Sequence, residues 1–245
     1  MLFKFPKKKI VLDCFTTEHY VAEYAPIVPA MKLIPVWWKE LPNSYPLNTK
    51  VGRQGTMRNC VGMVDYYKNS IAIPAWSELE IKIFDNGTYV WQFADLKTSA
   101  VVHDIKKQAT SFLNNYGHLK INSPWAFKTK ENISWVWTAP TYNYSDTCEI
   151  ISLPAVVNYH YQNTTAINLL FPLSQEKLIL IPHKRPLALI TPMSDRKVEI
   201  VRHVISKEEM EKISNKQTSI SFIRKYSEII KSQEFFKDCP FHTKK

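Results

Sequence analysis

Apolar and polar positions alternate with a period of two along much of this chain, and that period predicts strands rather than helices. Leu79, Ile81 and Ile83 alternate with Glu80 and Lys82; beyond Asp85-Asn86-Gly87, Tyr89, Trp91 and Phe93 alternate with Val90 and Gln92. The two runs predict a hairpin whose register can be argued. A two-residue turn at Asn86-Gly87 would pair Ile83 with Val90 and set the aromatic triplet opposite Lys82 and Glu80. A three-residue loop with Gly87 in the left-handed region pairs Ile83 with Tyr89, Ile81 with Trp91 and Leu79 with Phe93, so that all six share one face. Burial favours the second register, because a slip of one residue turns a whole apolar set to solvent.

Similar short runs occur at 9–15, 133–138, 149–153, 156–161, 165–171, 177–181, 187–191 and 198–204. Polar or proline positions punctuate them at spacings of about ten residues, the pattern of a sandwich or jelly roll rather than of βαβ units. The expected fold is mainly β: a jelly-roll-like β-sandwich with a mid-chain helix and C-terminal helices packed on its edge.

The mid-chain helix is expected over 99–114, where Val101, Val102, Ile105, Ala109, Phe112 and Leu113 form a stripe and Asn114–Gly117 supplies the stop. Ser206 followed by Glu209 is a capping box for the C-terminal helix. Met210 and Ile213 begin its stripe, which Ile220, Ile223, Tyr226, Ile229 and Ile230 continue. Five prolines between 25 and 48 forbid long helices there, leaving room for one short helix between Pro35 and Leu41. Without repeats or linkers, residues 1–245 are expected to form one β-rich domain. It comprises a proline-rich extended arm (1–48), the sandwich core (49–204) and a helical C-terminal element (205–238).

Composition narrows the function. Of 245 residues, 45% are apolar and 13% aromatic, enough for a buried core and too many for disorder. Five glycines form neither of the two common phosphate-cradling loops, which excludes nucleotide chemistry of those kinds. The net charge is +10, but the cations are mostly lysine; arginine occurs only at positions 53, 58, 185, 196, 202 and 224. Lysine is a hydrated point charge without the planar fork that reads phosphates and guanine edges, so a solvated basic surface is the first explanation and nucleic-acid binding the third functional one. Cys14, Cys60, Cys148 and Cys239 form no C-x-x-C pair and fit a reducing compartment. An N-terminal apolar signal region and an 18-residue apolar run are both lacking, so a soluble, intracellular chain with no membrane partner is expected.

Catalytic signatures are missing. None of the seven histidines is followed two positions on by Asp or Glu, as a jelly-roll iron site would favour, and no G-x-S-x-G elbow occurs. No catalytic residue, metal ligand or cofactor is therefore predicted. All seven tryptophans lie between positions 37 and 137; alternation around Trp91 and Trp135–Trp137 assigns them chiefly to the core, while of the adjacent Trp37 and Trp38 one should be exposed. Candidate ligand-binding residues are Asn122 and Trp125, placed between the sheets. His183 and Arg185 join them from a basic turn between Pro182 and Pro186 that could hold a small anion.

Four segments carry a resemblance. In order they are 31–42; Asn59-Cys60-Val-Gly62-Met-Val-Asp65-Tyr-Tyr with Ser70-Ile-Ala-Ile-Pro74; Ile121-Asn122-Ser-Pro124-Trp125; and 180–192. Together they resemble an uncharacterised family of marine tailed bacteriophages, cyanophages among them, and of some bacteria, over roughly positions 30–195. Family members carry glycine before the Pro-Leu of the last segment, where this chain has Lys184-Arg185. The resemblance implies a phage-encoded origin and no particular activity. The expected function is accordingly a phage-encoded, non-catalytic binding or structural protein, a virion component or host-interaction module with a protein partner. The alternative is a small-molecule-binding jelly-roll enzyme of the metal-dependent oxygenase kind.

Overall fold

The computed structural model describes residues 8–47, 52–95, 98–103, 105, 113–143, 150–164 and 166–214. Its strands in chain order are β1 (Ile10–Thr16), β2 (Val28–Pro29), β3 (Ser44–Pro46), β4 (Arg53–Gly55), β5 (Ile71–Pro74), β6 (Leu79–Ile83), β7 (Tyr89–Phe93), β8 (Ala100–Val102) and β9 (Tyr116–Asn122). They continue with β10 (Ala126–Lys128), β11 (Trp135–Thr138), β12 (Ile151–Ser152), β13 (Ala155–Val157), β14 (Ala166–Pro172), β15 (Lys177–Ile181), β16 (Pro186–Pro192) and β17 (Val198–Val204). The α-helices are α1 (His19–Tyr24), α2 (Val36–Glu40), α3 (Val61–Asn69) and α4 (Lys207–Ser214).

The protein is mainly β, and its several sheets fit a β-sandwich. The sheets run β13-β11-β16-β5-β2, β12-β14-β9-β8, β10-β1-β17 and β15-β6-β7, with a small β3-β4 pair. Their ladders are antiparallel except that of β1 and β17, which lie parallel in register from Ile10↔Val198 to Thr16↔Val204. One apolar cluster runs through four of the sheets, from Ile10, Leu12 and Cys14 on β1 to Ile190 on β16. Its largest fully buried side chains are Trp125, Trp135, Tyr159, Phe127 and Phe171. A smaller cluster, built on Trp38, Met63, Tyr67 and Leu189, seats α2 and α3 against the five-stranded sheet. Trp38 is buried and its neighbour Trp37 is 39% exposed, the divergence their adjacency required.

The β6–β7 hairpin adopts the register that burial favours: Ile83 pairs with Tyr89, Ile81 with Trp91 and Leu79 with Phe93. Gly87 takes φ +74°, and its N–H donates to the Phe84 carbonyl at 3.0 Å. Asn86 Oδ1 accepts from Thr88 N at 2.9 Å, which closes the loop. At the other end of the chain, the capping box forms as its spacing predicts: Ser206 N donates to Glu209 Oε2 (2.9 Å) and Glu209 N to Ser206 Oγ (3.2 Å). The continuation of that helical stripe beyond 214 lies outside the described residues.

Three expectations are corrected. Of the segment expected as an extended arm, residues 10–16 form β1, a central strand with Ile10, Leu12 and Cys14 fully buried, whereas α2 lies between Pro35 and Leu41 as expected. The helix expected from residue 99 begins instead with strand β8, paired Ala100↔Ile121 and Val102↔Leu119 with β9; residues 104 and 106–112 lie outside the described set. Val101 and Val102 are about half exposed (50% and 51%), so the supposed stripe does not face a core there. Gly117 is no helix stop but a residue of β9, paired with Phe171 of β14. A Cβ on it would lie 2.6 Å from Phe171 Cζ and closer still to Cε2, so the ring occupies the space a side chain would need.

A candidate ligand cleft around two stacked histidines

The four residues expected to bind a ligand do not form one site. Trp125 is 1% exposed in the main core. Asn122, at the exposed end of β9, donates Nδ2–H to Ser99 Oγ at 3.0 Å and its backbone N–H to Ser99 O at 3.1 Å. His183 and Arg185 flank Lys184 in the turn between β15 and β16. Lys184 has φ +69°, a left-handed conformation in a residue with a Cβ. Backbone bonds clamp the turn to β5: Lys184 N donates to Ala75 O (2.8 Å) and Ala75 N to Arg185 O (2.7 Å). Arg185 Nη2 donates to the Asn143 carbonyl at 2.9 Å, which ties its guanidinium to the protein. Desolvation, with Lys184 adding to it, lowers the His183 pKa from its ordinary 6.5, so the turn carries less positive charge at neutral pH than its sequence suggests. A small hollow beside Arg185, lined by Ile150, Ser152, Leu169, Ile181, Pro186 and Leu187, includes none of the other three.

A larger cleft, about 600 Å³, opens where the β8–β9 edge meets the tip of the β6–β7 hairpin. Its centre is built from backbone upward. The ladder of β8 and β9 extends past Val102, with His103 N donating to His118 O at 3.2 Å. That bond sets the two imidazoles side by side, stacked with centroids 5.1 Å apart and planes 28° from parallel. His118 is 7% exposed, and its Nε2 lies 3.0 Å from Asn168 Oδ1 on β14. An amide oxygen only accepts, so Nε2 carries the hydrogen and Nδ1 is a bare lone pair. Nδ1 is shut off from solvent and has no hydrogen-bond partner. Burial lowers the His118 pKa below 6.5; the Asn168 bond acts the other way, and His103 and Lys120 lower it further. The imidazole is therefore neutral at pH 7.

Around this pair the described wall mixes apolar side chains (Val102, Ile105, Leu173) with uncharged polar ones. Tyr89 O–H donates to the His118 carbonyl at 3.2 Å, and its ring stands edge-on to Phe171 at 4.9 Å. The Asn115 carbonyl accepts from Leu173 N at 2.8 Å, which holds the neighbouring turn in place. Asn86, Asn114, Tyr116 and Ser174 add hydrogen-bonding side chains, and among the described residues the lining contains no Asp, Glu, Lys or Arg. Sequence reasoning passed over this site because it set His103 on a helix. The signal that could have found it is the pair of apolar-flanked histidines, Val101-Val102-His103 and Gly117-His118-Leu119, read as neighbouring strands.

A second hollow of about 570 Å³ lies beside α3, lined by Cys60, Met63, Tyr66, Thr138, Ala139 and Tyr142 among others, and is largely apolar. Tyr66 Oη lies 2.7 Å from Thr138 Oγ1 and donates to Ala139 O at 3.0 Å; burial raises its pKa, so the phenol stays neutral. Cys14 is buried, and desolvation pushes its thiol pKa far up, which makes it inert packing. Among the described residues, no group of three or more His, Cys, Asp or Glu could hold a metal ion. No helix among them is long and apolar enough to cross a membrane. Neither a protein-family model nor a curated protein matches the sequence.

Proposed function

We propose that this chain is a phage-encoded protein that works by binding, as a virion component or host-interaction module, on a single-domain, jelly-roll-like β-sandwich. The observation that carries the reading is the cleft beside His118: about 600 Å³ of concave surface in which apolar side chains alternate with uncharged hydrogen-bonding groups from strand ends and loops. Cavities of that size with a few fixed polar groups are what ligand sites generally look like. Recognition by such a wall requires no chemistry of the protein; it needs rigidity, which the β8–β9–β14 ladder supplies. The phage origin rests on the four resembling segments and on a composition rich in lysine and poor in glycine. Placement in host cytoplasm or virion follows from that origin.

The test is mass spectrometry of purified virions of the encoding virus, paired with retention of the purified chain on host cell envelopes. Tryptic peptides of the chain in virions, or retention on envelopes, are expected. Consistent absence from virions together with no retention refutes the reading.

A further inference from the structure

We propose that the chain self-associates through β17: two copies pair antiparallel along this strand, so that their three-stranded β10-β1-β17 sheets join into one. One edge of the sheet is already closed, since Phe127 N donates to Asn163 O (2.7 Å) and Thr129 N to Tyr159 O (3.1 Å) beside β10. The other edge is β17, which has no strand beyond it among the described residues. Its ladder to β1 is flanked by Ile10 N donating to Lys197 O (2.9 Å) and Ile205 N donating to Thr16 O (3.0 Å). Odd-numbered residues therefore turn their N–H and C=O toward β1. Val198, Ile200, Arg202 and Val204 turn theirs outward, where no group among the described residues bonds them. Edges are commonly blunted by proline, a bulge or shortness. β17 runs seven residues with no proline and no register shift. The chain leaves it through Ser206 into α4, which packs on β10, away from the open edge.

An open edge accepts any strand; the register is what selects a second copy. A two-fold axis perpendicular to the sheet keeps each face, so outward residues must oppose outward residues. Centred on Val201, the axis pairs Val198 with Val204 and Ile200 with Arg202 of the other copy, and every outward N–H and C=O finds a partner. Exposed Val204 is then covered by a valine. On the outer face, which carries Asp13 and Phe15 of β1, Val201 meets its own counterpart and Glu199 lies opposite His203, so no like charges meet. The neighbouring registers are poorer. Centred on Arg202, the axis would set two guanidinium groups against each other; centred on Ile200, it leaves the outward groups of Val204 without a β17 partner.

Sedimentation of the full chain from about 0.01 to about 1 mM brackets a Kd of about 0.1 mM, the weak affinity expected of one strand-to-strand ladder. Over the same range the amide protons of Val198, Ile200, Arg202 and Val204 should gain protection as the dimer forms. Arg202→Pro deletes one outward N–H per copy and spares the β1 ladder, as proline on an edge strand does. It should weaken the dimer about thirtyfold, the worth of two hydrogen bonds, with its melting temperature in dilute solution reporting that the fold survives. Val201→Lys and Val201→Glu should each weaken self-association by about fivefold, and their equimolar mixture should recover it, because residue 201 faces itself across the axis. A mixture that does not recover overturns the register. A chain that stays monomeric, a dimer that leaves the four amides exchanging freely, or amides protected equally at every concentration, which would mean that the chain covers its own edge, each overturns the proposal.

Discussion

Gly117→Ala is the substitution whose cost the structure fixes most sharply. The added methyl would lie 2.6 Å from Phe171 Cζ and 3.0 Å from Cδ2, with Cε2 nearer still. Real Cβ atoms keep well outside the first distance, so either the ring or β9 must move. Phe171 is fully buried and stands against Tyr89 at 4.9 Å with planes at 90°, so moving the ring disturbs that contact. Overpacking of this kind costs about 1–3 kcal/mol. For a chain of this size that lowers the melting temperature by roughly 2–4 °C per kcal/mol, hence by about 2–12 °C. The assay is a double-mutant cycle by chemical denaturation, using Phe171→Leu to remove Cε2 and Cζ. In that background Gly117→Ala should be close to neutral, because alanine suits a strand better than glycine by roughly 0.5–1 kcal/mol. The coupling between the two sites should therefore be about 1–3 kcal/mol. Additive effects, or an unchanged melting temperature for Gly117→Ala alone, would refute the argument that the Phe171 ring dictates the glycine.

Other outcomes follow from single observations. Lys184→Gly should stabilise by about 0.5–1 kcal/mol, because a left-handed residue with a Cβ is strained and glycine is not; denaturant midpoints check it. His118 is harder to protonate in the folded chain than in the unfolded one, whose histidines titrate near 6.5. Its contribution is therefore intact above that pH and lost as pH falls below it. Comparing stability at about pH 7.5 and about pH 5.5, His118→Gln should lose less than the parent, with His103 and Lys120, which also disfavour protonation of His118, left in place. Ser206→Ala removes the acceptor for Glu209 N and should cost α4 about 1 kcal/mol, read as faster amide exchange at Glu209 and Met210.

Legibility followed sequence distance. The β6–β7 hairpin could be read to the residue because its evidence is local: strict alternation on both sides of a loop in which only Gly87 suits a left-handed backbone. The Ser206–Glu209 box was legible for the same reason. The strand β8 was not, since Val101, Val102 and Ile105 satisfy a helical stripe as well as a strand, and the partner that decides between them, β9, lies beyond the ambiguous stretch. Gly117 looked like a helix stop because its true constraint, Phe171, is distant in sequence and visible only in the β9–β14 register. The parallel pairing of β1 with β17 joins widely separated segments and leaves no local trace at all. Trp125 is expected between the sheets and His183 in a basic turn between prolines. Burial assigns Trp125 to the core, while the cleft collects two histidines whose proximity depends on a ladder that no single window of sequence contains.

The account of the site turns on His118 holding its proton at Nε2 and leaving a buried Nδ1 without a partner. A long-range proton–nitrogen correlation spectrum of the histidine-labelled chain at neutral pH reads that directly. A neutral ring protonated at Nε2 is the predicted result. An imidazolium, or a ring protonated at Nδ1, would contradict it.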